Sequence, residues 1–174
     1  MTTASKKPTA KRPRLVGIES LSDSSSDSDS KNSLRVWLFL LKCAKRLEQE
    51  MSVRFREEFQ SSLSRFDVLA HLYLAGAEGL STSLLAGRLL ASQGNITRLL
   101  DRMMQDGLIE RSSDASDRRM NKIRLSAGGA ELFARMAPAH EQWSHEILGT
   151  TGSGDRDKLV KLLRGLHDHL DTRR

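Results

Sequence analysis

QGNITRLLDRMMQDGLIERSSDASDRRMNKIRLS, residues 93–126, decides the fold. Its first half repeats at helical spacing: Ile96, Leu99, Leu100 and Met103 share one face of a helix that Ser92 can cap and Gly107 stops. Its second half alternates as strands do, Leu108 to Arg111 and Asn121 to Leu125, around a charged loop, which predicts a β-hairpin. The opposite face of the helix carries Gly94, Arg98 and Asp101, flanked by Asn95, Thr97 and Arg102. The hairpin loop gathers Asp114, Asp117, Arg118 and Arg119.

Working outward, LSTSLLAGRLLAS predicts a short helix capped by Ser81 or Thr82, separated from the next helix by almost nothing. Before it, SLSRFDVLAHLYLAGAEG predicts a helix with Ser64 as cap and Asp67 three residues on, a capping-box spacing. Phe66, Leu69, Ala70 and Tyr73 form its inner face, and Gly76 and Gly79 end it. After the hairpin, Ser126 caps a long helix through Leu132, Phe133, Met136 and Trp143, with a kink expected at Pro138. GTTGSGD links it to a last helix carrying Leu159, Leu162, Leu163, Leu166 and Leu170. A helix-turn-helix backed by a hairpin is a winged helix, so the fold class is mainly α with a small β wing.

Upstream, Trp37, Leu41, Ala44, Met51, Phe55 and Phe59 recur at helical spacing from Leu34. Val36, Leu38, Phe39, Leu40 and Cys43 make the first half of this helix apolar on more than one face. A monomer's surface helix needs one stripe, so the excess predicts a second copy of the chain as partner. The expected organisation is a disordered tail over 1–33, an N-terminal dimerisation helix over 34–63, a DNA-binding lobe over 64–125 and C-terminal dimerisation helices over 126–174. The tail is basic at Lys6, Lys7, Lys11, Arg12 and Arg14, then acidic and serine-rich in SLSDSSSDSDS, with little apolar surface to order it.

The 174 residues carry a net charge of +6, which favours anionic partners. The most apolar run, Trp37 to Leu41, is too short to span a membrane, and no signal peptide is evident, so a cytoplasmic, nucleoid-associated protein is expected. A buried back and a polar front near its N-terminal end suit a helix to the major groove of double-stranded DNA. Gly94 leaves room for close approach, Arg98 can fork onto guanine, and Asn95 or Thr97 can reach base edges. The free amides near Ser92 and Gln93 suit a phosphate. Asp101 repels phosphate unless Arg98 or Arg102 neutralises it. At the hairpin tip, Arg118 or Arg119 can enter an A·T-rich minor groove while the other pairs with Asp114 or Asp117. Lys122 and Arg124 are expected to add phosphate contacts.

These residues resemble the MarR family of winged-helix transcription regulators. The family's wing motif is Asp, any residue, Arg, five residues, then Leu-Thr. Asp117, Arg119 and Leu125 match it, and Ser126 stands for the threonine. ASQGNITRLLDRMMQDGLIER is similar to the family's recognition helix and first wing strand. The likeness spans about residues 34 to 170. It implies a homodimer built from the first and last helices on a pseudo-palindromic operator, with Arg118 the minor-groove arginine and Arg119 bracing Asp117. It also implies a small, often aromatic, effector bound between the dimerisation helices and the DNA-binding lobe, whose binding usually releases the DNA. Leu84 departs from the pattern, since relatives often carry glutamate there.

Trp37, His71, Tyr73, His140 and Trp143 are the candidate effector residues. The stretch LRVWLFLLKCAKRLEQEM with SRFDVLAHL is similar to regulators of aromatic-acid or hydroxycinnamate catabolism, implying an aromatic acid or its coenzyme A thioester. Cys43, alone and among apolar neighbours, is expected to stay protonated and unreactive. His140, His145, His167 and His169 lack the spacing of a metal site, and no cofactor is expected. GTTGSGD lacks the ending of a phosphate-binding loop, and neither a zinc-protease motif nor a nucleophile elbow occurs, so an enzyme is not expected. The competing reading is an effector-independent DNA-architectural or protein-docking winged helix.

Overall fold

A computed structural model describes residues 29–89, 93–113 and 121–173. The elements run α1 (Asp29–Phe59), α2 (Leu63–Ala75), a 3-10 turn (Gly76–Glu78), β1 (Leu80–Ser81), α3 (Thr82–Arg88), α4 (Gln93–Gln105), β2 (Ile109–Ser113), β3 (Asn121–Leu125), α5 (Ala127–Leu148) and α6 (Ser153–Asp171). The predominantly helical winged helix-turn-helix expected from the sequence is what forms. The chain divides within α1 into two units, Met1–Leu47 and Glu48–Arg174.

The described part of the first unit is helical. Leu34, Val36, Trp37, Phe39 and Leu41 are all about half exposed on it. Cys43 is exposed too, which corrects the expectation of an apolar enclosure. Helix begins at Asp29, five residues before Leu34, so residues 29–33 leave the expected tail. Asp29 lies in the first turn, where a carboxylate favours the positive end of the helix dipole, and Ser33 Oγ donates to the Asp29 carbonyl at 3.0 Å. The rest of the tail, residues 1–28, lies outside the described residues.

In the second unit the core joins the end of α1 to α2, α4 and α5. Phe55, Val68, Leu69, Leu85, Met103, Ile123 and Met136 are wholly enclosed. Phe55 stacks on Phe66 with centroids 4.9 Å apart and meets Trp143 edge-on at 5.1 Å, within the range where aromatic pairs attract beyond their buried area. Arg54 ties α1 to α5 by donating to Glu146 at 2.6 Å, and its guanidinium lies 5.9 Å from the Trp143 ring. The Arg54 hydrogen bond, and then that of Gln142, hold the Glu146 carboxyl below its usual value.

Local capping sets the helix starts. Ser81 accepts from Leu84 N–H and Ser126 from Gly129 N–H, both as expected. At α2 the cap is Ser62, which accepts from Arg65 N–H, and Ser64 lies inside the helix, so the expected box of Ser64 and Asp67 does not form. Ser62 has the extended backbone a cap requires, at φ −129° and ψ 156°. α5 runs as one helix past Pro138, and α6 starts at Ser153, inside the stretch expected to be linker.

The hairpin pairs Ile109 with Leu125 and Arg111 with Ile123, in antiparallel register. A third strand was not foreseen: β1 pairs with β3, Leu80 opposite Ile123, giving the order β1-β3-β2. Gly79 feeds β1 at φ 63°, and a side chain there would meet the Ile123 carbonyl oxygen at 2.5 Å, so both backbone and space favour glycine.

Candidate nucleic-acid interface

α4 is amphipathic as its spacing requires. Ile96, Leu100 and Met103 are buried, Leu99 packs against the core, and Gly94, Asn95, Thr97, Arg98 and Arg102 are exposed. A Cβ on Gly94 would meet nothing within 4 Å, so nothing among the described residues crowds this position. Arg98 lies back along its own helix, Nε donating to Gly94 O at 3.3 Å and Nη2 to Asn95 Oδ1 at 2.9 Å. This contact orders a long side chain in advance and reduces the entropy lost if it docks. The Gln93 backbone starts the helix. Ser92 and the wing tip with Asp114, Asp117, Arg118 and Arg119 lie outside the described residues.

Asp101 is met by neither Arg98 nor Arg102; Arg111 of β2 approaches it, Nη2 to Oδ1 at 3.6 Å. Lys122 is turned to Glu78 at 3.5 Å, so it faces a carboxylate in the same lobe. Arg124 packs its stem at the Gly79 position, and its buried Nε has no hydrogen-bond partner.

Of the five candidate effector residues, Trp37 belongs to the first unit and His71, Tyr73, His140 and Trp143 to the second. Trp37 is 59% exposed. His140 lies 4.6 Å from Phe66 and 5.9 Å from Phe55, and Trp143 is buried against Phe55. Those two are members of the aromatic core, because α5 crosses α2 at that point. Tyr73 is exposed but rests on Phe133 at 4.8 Å, and His71 is partly buried.

A cleft of about 460 Å³ opens elsewhere, lined by Ser62, Ser64 and Asp67 of the α2 end, Leu89 after α3, and Asn95, Ile96, Arg98, Leu99 and Arg102 of α4. Sequence spacing could have suggested Arg102 and Asn95 together, but Asp67 enters only through the packing of α2 on α4. Burial raises the Asp67 carboxyl above its usual value, with Glu48 adding, while His71 and His140 oppose. An acid with a raised folded-state value binds more protons folded than unfolded, so stability falls as pH rises from the ordinary value through the raised one. Above that window the charged form penalises the fold. Asp67→Asn is therefore expected to melt higher than the wild type at neutral pH, with the gap closing in acid. Calorimetry across pH checks this, and equal neutral-pH melting temperatures would remove burial as the dominant influence on Asp67.

Among the described residues no group of three or more His, Cys, Asp and Glu could hold a metal ion, and no helix is long and apolar enough to cross a membrane.

The sequence profile of the MarR family matches residues 62–120. The transcriptional regulator PecS of Dickeya dadantii is 30% identical over 118 residues, covering 67% of this chain and 71% of that protein. The transcriptional repressor YetL of Bacillus subtilis is 27% identical over 140 residues, covering 80% and 83%. Among solved structures, the S. aureus MepR–DNA complex superposes with a TM-score of 0.67 at 20% identity, covering 77% of this chain and 96% of the MepR chain.

Proposed function

This chain belongs to the MarR family of transcription regulators, and from that premise we propose that it is a homodimeric repressor released from a pseudo-palindromic operator by a small aromatic acid. The observation that carries the reading is α4: a buried apolar back and an exposed front of Gly94, Asn95, Thr97, Arg98 and Arg102, followed at once by the hairpin. MepR, whose fold this chain shares, has been solved on DNA, and YetL is a repressor. In a dimer the two α4 helices would enter successive major grooves about one helical turn apart. By the wing motif, Arg118 would reach the minor groove and Arg119 would brace Asp117. The family's setting implies a cytoplasmic protein on the nucleoid.

Besides Trp37, His71, Tyr73, His140 and Trp143, the cleft beside α4 is a second candidate site for the effector. Its volume is of the size that small ligands occupy. Leu89, Ile96 and Leu99 offer an apolar floor for a ring, and Arg98 and Arg102 offer charge to a carboxylate. A free aromatic acid suits that space better than a coenzyme A thioester, most of which would remain outside. Because Arg98 and Arg102 also belong to the α4 front, acid and operator would compete for the same guanidinium groups.

Selection of bound fragments from the source genome tests the reading. The wild type is expected to enrich one pseudo-palindrome, and Arg98→Ala to relax preference at particular base pairs by about tenfold each. Equal losses on every sequence would remove base reading from Arg98. Adding benzoate-like acids should release the enriched duplex. Retention at saturating acid, with no rise in melting temperature, would leave an effector-independent DNA-binding protein.

A further inference from the structure

We propose that Arg111, in the first strand of the hairpin, is a positioning residue for the DNA-reading face, where it holds and neutralises Asp101 of α4. The proposal rests on the regulator reading above. Asp101 lies on the outward side of α4, on the same stretch of helix as Gly94 and Arg98. A carboxylate there faces the negative surface of any duplex that α4 approaches. Its helix neighbours do not cancel it, since Arg98 is engaged with Gly94 and Asn95.

The partner comes from β2 for a reason that the strand register makes plain. Residues directly opposite in an antiparallel pair project from the same side of the sheet, and Arg111 is opposite Ile123, which is wholly buried. Ile109, two residues earlier, is buried on that side as well. Arg111 is thus the next position on the core-facing side, where β2 runs past the edge of the core. Its guanidinium Nη2 lies 3.6 Å from Asp101 Oδ1. Both side chains are about half exposed, at 50% and 49%, so the pair contributes little to folding. Its consequence is the field at the α4 face, and it links the wing strand to the recognition helix.

Four variants on one operator duplex, measured by fluorescence anisotropy over a salt series, test this. Arg111→Ala exposes the carboxylate and is expected to weaken binding about fivefold at moderate salt. The magnitude of its log–log salt slope should fall by about 0.9, the value of one net charge. Arg111→Lys should stay near the wild type. Asp101→Asn should tighten binding by about the same factor, and the double variant Asp101→Asn with Arg111→Ala should return to wild-type affinity. Melting temperatures should stay within about 3 °C throughout, so that unfolding does not imitate the effect. A double variant as weak as Arg111→Ala alone would overturn the proposal, because Arg111 would then contact the duplex itself. Unchanged binding in Arg111→Ala would overturn it too. A wild-type chain that binds no duplex would bring down the regulator reading itself, a result distinct from either.

Discussion

Leu163→Glu with Leu166→Glu is expected to halve the mass of the particle in solution and to weaken operator binding by about 100-fold or more. α6 has no buried residue, yet it presents Leu159, Leu163, Leu166 and Leu170, all about half exposed. Their spacings of four, three and four residues form the seam that helices use to pair. A 19-residue helix with no buried residue draws little stability from packing within the described chain, so its apolar side needs cover. A second copy is the simplest cover, since closed twofold pairing buries the same patch on both chains. Two glutamates at the centre of that seam would bring four like charges together. The operator effect follows from tethering: in a dimer the second half-site is met at an effective concentration in the millimolar range, and a monomer loses that gain. Sedimentation and anisotropy read the two consequences. A variant that keeps its dimeric mass would show that a different surface pairs.

Gly129→Ala is expected to cost about 3 kcal/mol and to lower the melting temperature by about 10 °C. A Cβ at Gly129 would sit 1.9 Å from the Leu108 carbonyl oxygen and 2.9 Å from its carbon. The obstacle is backbone, which cannot step aside as a side-chain tip can. Leu108 O also accepts from Ser126 N–H at 3.2 Å, and Ser126 Oγ both caps Gly129 N–H and donates to Gly107 O at 2.5 Å. Opening space for one methyl would therefore disturb the start of β2 and the cap of α5 together. Gly87→Ala is the control: among the described residues nothing lies within 4 Å of its Cβ, so no comparable loss is expected there. A Gly129→Ala chain that melts within about 2 °C of the wild type would show that β2 and α5 can separate without loss.

The Gly129 contact also marks where sequence reading stops. Glycine at 129 looks like a poor helix residue when read along the chain, and only the crossing of Leu108 explains it. The same holds for β1: two residues, Leu80 and Ser81, carry no alternation of their own, and they become a strand because β3 lies beside them. His140 and Trp143 carry rings that spacing along α5 does not assign to partners, and the fold sets His140 on Phe66 and Trp143 against Phe55. At α2 the spacing of Ser64 and Asp67 pointed to the wrong cap, and the burial of Phe66 beneath Phe55 accompanies the start at Ser62. Asp101 could be recognised from sequence as a liability on α4, but its partner could not, because Arg111 is ten residues away on another element.

What the sequence by itself determined was governed by neighbours along the chain, although the cap of α2 and the start of α6 escaped it. The buried stripe of α4, the hairpin arms, the caps at Ser81 and Ser126 and the stop at Gly107 all follow from spacing and local backbone chemistry. What only the tertiary structure decided were the meetings of residues distant in sequence: Arg111 with Asp101, Leu108 with Gly129, Asp67 with the arginines around the cleft. Periodicity tells which side of a helix or strand turns inward, because burial favours one face. It does not say which other element arrives there, since that depends on how all the faces fit together at once.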